Sequence, residues 1–391
     1  MTRARALMCL LPGLLPGCGT SPTPDQDPDQ PPEWTLRRGV TIGSVDDPVY
    51  GLSGVRRALA DEDHVYVLLL QDGVVRVFTR AGEFVRDLGR EGEGPGELMM
   101  PSEMGWYGSR LWVANWGSTR FTLFDVETGE AETILYLPDV PPTLYASGWA
   151  PEAVLSNGHL VGSMKLSATA ISWGLVSHDV RIVTDTAGSV RDTLALLSVV
   201  GQSGEITAGL GRDRRSYWLH PLPEHDMIGF APDGSGAVLV NRRSWEGSGP
   251  AEFEVTRIDL RGDTLFHRRI GYEPRPVPDG FFDDDIEESR EYGNVVDRRA
   301  YESALREFLE QRRYFPPVAR LVAGSDGTIW LGGPDDGGER WWLVLDGSGL
   351  TMGRVRLPAR SYVMFANEIE CWVLVMDALD IPYLVRYDIV R

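Results

Sequence analysis

Cysteine is scarce: Cys9, Cys18 and Cys371 are the only three in 391 residues. They cannot build a disulfide framework, and none has the short spacing of a metal-ligand set. Histidine is nearly as thin, with six scattered copies. His220 and His225 share the stretch "HPLPEH", which lacks the helix and glutamate placement of a zinc site. Positive charge is in deficit, with 38 Lys+Arg against 57 Asp+Glu and a formal net of −19. Such a surface repels phosphate backbones, which excludes nucleic acid as a partner. Chemical motifs are missing too. "GQSGE" (Gly201 to Glu205) is not a nucleophile elbow. Asp283, Asp284 and Asp285 have no calcium loop around them and read as a solvated acidic run. No catalytic residue, metal-ligand set or cofactor is therefore predicted.

What is present begins with a leader. Arg3 and Arg5 precede an apolar run, Ala6 to Leu15, that is too short for a membrane-spanning helix. It ends in "LPGC", Leu15 to Cys18, which resembles a bacterial lipobox; Pro16 is the one unusual residue in it. The resemblance implies cleavage after residue 17 and lipid attachment at Cys18. Residues 18–33 are rich in Pro, Asp and Gln, lack apolar periodicity, and read as a tether that cannot fold alone. With a net negative chain, attachment to a membrane falls to the lipid rather than to basic residues. Gly19 after the cysteine points to the outer membrane under Gram-negative sorting.

From Trp34 onward one plan repeats: short alternating strands separated by Asp/Gly turns. The first unit, Gly54 to Gly89, parses as strands near 54–60, 64–70, 74–80 and 83–88. Further units follow around Leu111 to Pro138, Pro151 to Leu197, Met227 to Gly271, Ala319 to Pro358 and Tyr362 to Arg391. Units of 40–50 residues with four strands have the period of propeller blades. The fold class is therefore all-β, a six-bladed β-propeller over residues 34–391. The sixth unit holds only three strands, so Trp34 to Val45 is expected to complete the last blade. Trp330, Trp341, Trp342 and Trp372 fall within strands and read as blade packing.

The stretch "GREGEGPGELMMP", Gly89 to Pro101, joins blade one to blade two. It is not a phosphate loop, because no Gly-Lys-Ser/Thr and no helix follow. It has a partial twin, since "EGEGPGEL" (Glu91 to Leu98) matches "EGSGPAEF" (Glu246 to Phe253) within blade four. Connections after second and fourth strands emerge on one face, so Glu97 and Glu252 are expected on the same face. Either each glutamate ties its own loop through backbone N–H groups, or both face a ligand.

"FVRDLGREGEGPGELMMP" followed by "LWVANWGSTRFTLFD" resembles NHL-type six-bladed propellers. Arg120 and Asp125 match that pattern, while Asn115 stands where Asp is usual and Thr119 where Asn is frequent. The chain also resembles bacterial secreted six-bladed β-propeller lipoproteins. The resemblance implies binding or scaffolding more often than catalysis.

One segment breaks the repeat. Between blades four and five, residues 283–317 place Tyr301, Leu305, Phe308 and Leu309 at helical spacing before Pro316 and Pro317. A helical insert is expected there, on the same face as the glycine loop. The expectation is a non-enzymatic, lipid-anchored extracytoplasmic propeller that binds a protein or small ligand on a face carrying Glu97, Asn115, Arg120 and Glu252. The alternative is a metal-dependent hydrolase or lactonase in the central channel, for which Asn115, Asn157 and Asp326 are candidates.

Overall fold

The computed structural model describes residues 31–140, 146–166, 178–199, 204–208, 215–219, 222, 224–281, 313–334, 338–358 and 360–391. Among them are 26 strands and no α-helix. The leader, Cys18, most of the tether and residues 282–312 lie outside the described residues. So does the predicted helix, except for its last five positions, and these are not helical. Tyr314 forms a bridge with Pro276, and Phe315 is buried beside Phe281. The insert therefore ends in extended chain packed on the propeller, because Pro316 and Pro317 disallow helix before them.

Six four-stranded antiparallel sheets form the blades. β1 (Thr35–Ile42) precedes blade one, which is β2 (Val55–Ala60), β3 (His64–Leu69), β4 (Val74–Thr79) and β5 (Phe84–Leu88). Blade two is β6 (Pro101–Tyr107), β7 (Arg110–Asn115), β8 (Arg120–Asp125) and β9 (Ala131–Leu135). Blade three is β10 (Ala146–Val154), β11 (Leu160–Leu166), β12 (His178–Thr184) and β13 (Val190–Ser198). A hairpin of β14 (Gly204–Ala208) and β15 (Arg215–Leu219) follows. Blade four is β16 (Met227–Phe230), β17 (Gly236–Asn241), β18 (Glu252–Asp259) and β19 (Thr264–Gly271). Blade five is β20 (Arg320–Ala323), β21 (Ile329–Gly332), β22 (Arg340–Leu345) and β23 (Thr351–Leu357). The last sheet holds β24 (Ser361–Ala366), β25 (Glu370–Met376) and β26 (Pro382–Val390), with β1 paired antiparallel on β26, Thr35 opposite Val390. The chain meets the blades slightly earlier than Trp34, since Pro32 accepts from the Arg354 amide and Glu33 bridges the same residue.

Burial follows strand position. In β3 and β7 five of six residues are buried, which explains why "HVYVLL" and "RLWVAN" are almost continuously apolar. The outer strands β5 and β9 are mostly exposed. The tryptophans divide by parity. Trp330, Trp342 and Trp372 are fully buried, whereas Trp341, one residue from Trp342, faces outward beneath Arg354 and Arg356, 4.5 and 3.9 Å from its ring. Four turns between third and fourth strands repeat one device. Asp125, Asp185, Asp259 and Asp346 each accept two backbone N–H groups with Oδ1. These are the Asp/Gly turns that make the repeat visible in the sequence.

Candidate ligand site at the channel mouth

The first strand of each blade lines the central channel. β2 packs beside β6 and β24, β6 beside β10, and β20 beside β16 and β24. Within the ring the channel narrows to a cavity of about 20 Å³, closed by apolar side chains such as Leu59, Met104, Phe230, Val322 and Phe365. Above this plug it opens into a cavity of about 330 Å³.

Three consecutive innermost strands break register where they line that cavity. The shifts fall between Val55 and Arg57, between Pro101 and Glu103, and between Pro151 and Ala153. A bulge sets two residues against one and breaks the in-out alternation of a strand. Here the result is that Arg57, Ser102, Glu103 and Glu152 all reach the mouth. Trp116, Lys165 and Arg181 complete its polar wall, while Met164, Ile228 and Phe230 make an apolar side.

The charges in the mouth are paired. Arg57 Nε lies 2.7 Å from Glu103 Oε2. Arg181 is held between two carboxylates, with Nε 2.5 Å from Glu152 and Nη1 2.5 Å from Asp179. Ser163 donates to the other Glu152 oxygen at 2.7 Å. Burial raises the Glu152 carboxyl above its ordinary range, and Arg181 and Ser163 only partly offset it. Burial also disfavours the Arg181 charge, but Glu152 and Asp179 more than restore it, so this guanidinium titrates higher than usual. Lys165 Nζ sits 4.4 Å above the Trp116 ring and donates to the Trp116 carbonyl; desolvation lowers its ammonium.

The glycine loop stands behind this mouth. The Trp116 amide donates to the Met100 carbonyl, and the loop leads directly into Ser102 and Glu103. It is tied by its own side chains. Glu97 accepts from the Gly94 amide at 2.7 Å and from Arg90 Nε at 2.8 Å, and these contacts lower its carboxyl. Gly92 is required beneath it, with φ at +151° and space for a Cβ only 2.1 Å from the Glu97 carboxylate. Arg120, buried, donates to the carbonyls of Gly92, Glu93 and Glu97. Asn115, fully buried, accepts from the Met99 amide and donates to Thr122.

Three of the four expected face residues thus meet at one loop, where Asn115 and Arg120 are turned into the protein. Glu252 is separate, exposed at the start of β18 in blade four. Its loop is not tied in the same way: the Trp245 indole donates to the Gly249 carbonyl, and Gly247 and Gly249 have open space around them. The sequence twin is not a structural twin. The channel candidates do not converge. Asn115 lies under the loop. Asn157 accepts from the His159 amide in the β10–β11 turn, and Asp326 from the amides of Thr328 and Glu368. Among the described residues no group of three or more His, Cys, Asp or Glu side chains is arranged to hold a metal ion. Arg57, Glu103, Glu152 and Arg181 were not legible as a site, because each comes from a different strand and a bulge leaves no plain signal in the sequence.

No protein-family profile matches the chain, and no curated protein matches it in sequence. Solved structures do match over nearly its whole length. A member of the DUF4221 family from Bacteroides vulgatus is 11% identical with a TM-score of 0.50, over 92% of this chain and 99% of that one. A protein of Bacteroides fragilis presumed to be exported has a TM-score of 0.49 at 11% identity, over 92% and 95%. Regucalcin from Agrobacterium tumefaciens, a calcium-binding protein, has 0.41 at 12% identity, over 92% and 96%. At 11% identity the likeness to the DUF4221 member bears on the fold alone, in keeping with the six four-stranded sheets, and on nothing of the chemistry.

Proposed function

We propose that this chain is a non-enzymatic binding propeller, held outside the cytoplasm by lipid on Cys18, whose ligand site is the channel mouth. The observation that carries the binding assignment is the run of three bulges that turns polar residues of successive blades into one open cavity. Bulges of this kind recur beside functional sites because they re-aim side chains at the cost of ladder bonds. A cavity of about 330 Å³ suits a small molecule rather than a protein segment. Glu97, Asn115 and Arg120 serve the same face from behind, by fixing the loop that delivers Ser102 and Glu103. Glu252 opens β18, where a connection after a second strand ends, on that face but in another blade. The leader and the acidic balance support the location: a basic n-region, a short apolar run and "LPGC", in a chain whose full net charge is −19.

The test is retention of a small molecule. Purified protein is equilibrated with a small-molecule extract, washed, and denatured for mass spectrometry. A stoichiometric compound is expected, lost from Ile228→Trp, which fills the mouth. A compound retained equally by that variant, or none at all, sinks the assignment. Lipid on Cys18 is checked by the mass of the membrane-extracted N-terminal peptide.

A further inference from the structure

The mouth holds guanidinium N–H groups that its own carboxylates leave uncommitted. Glu152 accepts from Ser163 with one oxygen and lies in ion-pair contact with Arg181 through the other. The donors have capacity to spare. Arg57 comes closest to Glu103 through Nε, and neither of its terminal nitrogens donates a hydrogen bond to a described residue. Arg181 turns Nε toward Glu152 and Nη1 toward Asp179 as ion pairs, and Nη2 donates no hydrogen bond to a described residue. A guanidinium presents its N–H groups as a planar fork that fits a carboxylate better than a single oxygen. Ile228, Phe230 and Met164 line the same cavity and offer apolar surface with no polar side-chain group beyond the Met164 thioether. Glu103, partly exposed, is ion-paired with Arg57.

We infer that the channel mouth takes a small organic carboxylate with an apolar body, its carboxylate at Arg57 and Arg181 and its body against Ile228, Phe230 and Met164. This rests on the mouth being the ligand site. It makes Arg57 the residue that sets ligand class, while Arg181, locked between Glu152 and Asp179, contributes a fixed donor.

The test varies only the head group. 3-Phenylpropanoate, 3-phenylpropanamide and 3-phenylpropylammonium are titrated into the purified protein by calorimetry. The carboxylate is expected to bind at least tenfold more tightly than the amide, and the ammonium more weakly still. Arg57→Gln should weaken the carboxylate at least tenfold more than the amide and so abolish the preference, with the melting temperature near wild type, and Arg57→Lys should restore part of it. Equal or tighter binding of the amide or the ammonium overturns the ligand class. If that binding is still lost in Ile228→Trp, the mouth remains a ligand site of another chemistry. Failure of all three probes also overturns the class, and the extract experiment then decides whether the mouth binds anything.

Discussion

Arg120 donates to the main-chain carbonyl of Glu97 at 2.8 Å, across 23 residues of sequence. With its bonds to Gly92 and Glu93, this closes a loop that has no regular structure around a single buried cation. Loops on propeller faces are ordinarily the variable part of the fold. This one is built like a core element, with a guanidinium where an apolar side chain would usually sit.

Arg120→Met is therefore expected to lower stability by about 2–4 kcal/mol, since three carbonyls lose a charged donor. Chemical denaturation would measure it. Limited proteolysis should cut between Gly89 and Pro101 in the variant before any other site. A melting temperature equal to wild type, with an intact loop, would show that the clamp contributes nothing.

Arg181→Met should cost about 3–5 kcal/mol at neutral pH, because Glu152 and Asp179 lose their shared partner. The loss depends on pH in a defined direction. The Glu152 carboxyl already titrates above its ordinary range, and without Arg181 it rises further. A carboxyl whose folded value exceeds its unfolded value binds protons on folding, so the fold gains stability as pH falls through the folded value. The gap in melting temperature between wild type and variant should narrow from pH 7.5 to pH 5. A gap that widens on acidification would contradict the assignment.

Gly353→Ala tests the seam between blade five and the N-terminal segment. A Cβ at Gly353 would stand 2.3 Å from the Trp34 indole, and Trp34 is itself buried. Overpacking there should cost about 1–3 kcal/mol. Trp34→Leu in the same chain should recover part of the loss, read as a melting temperature above that of the single variant.

Cys371 is fully buried, and burial pushes its thiol far above the ordinary range. In protein that begins after Cys18 it is the sole thiol. It should resist Ellman's reagent in buffer and react fully in denaturant, so its labelling rate reports opening of the last blade. Rapid labelling of folded protein would mean that β25 is far less protected than its burial indicates.

The blades were legible because each middle strand is a short apolar run bounded by an Asp or Gly turn, as "HVYVLL" and "RLWVAN" illustrate. Those turns carried the reading, and Asp125, Asp185, Asp259 and Asp346 do the same work in four blades. Turn residues of the same types also look like chemistry. Asn157 and Asp326 resemble potential ligands on paper, but they satisfy backbone N–H groups in turns. The mouth escaped notice for the opposite reason. Arg57 sits in "GVRRALA" and Glu152 in "PEAVL", both of which read as plain strand. Only a register shift decides that these side chains face the channel, and register is a property of two strands together. The partial twin of the glycine loop shows a further limit: similar residues at 91–98 and 246–253 produce one tied loop and one open one, because only the first has an arginine beneath it.

The pairing of β1 with β26 brings residues 351 positions apart into contact, Arg37 against Asp388 among them. A chain synthesised from its N-terminus thus releases its earliest strand long before the partner of that strand exists. Five sheets can assemble locally, each from consecutive hairpins, but the sixth must wait for the final residues to emerge. Until then the β1 segment has no sheet to join, and β26 has no neighbour on its outer edge. Proteins that must pass through a membrane before folding benefit from such a delay. The same seam makes the last step of folding, rather than the first, the one that closes the ring.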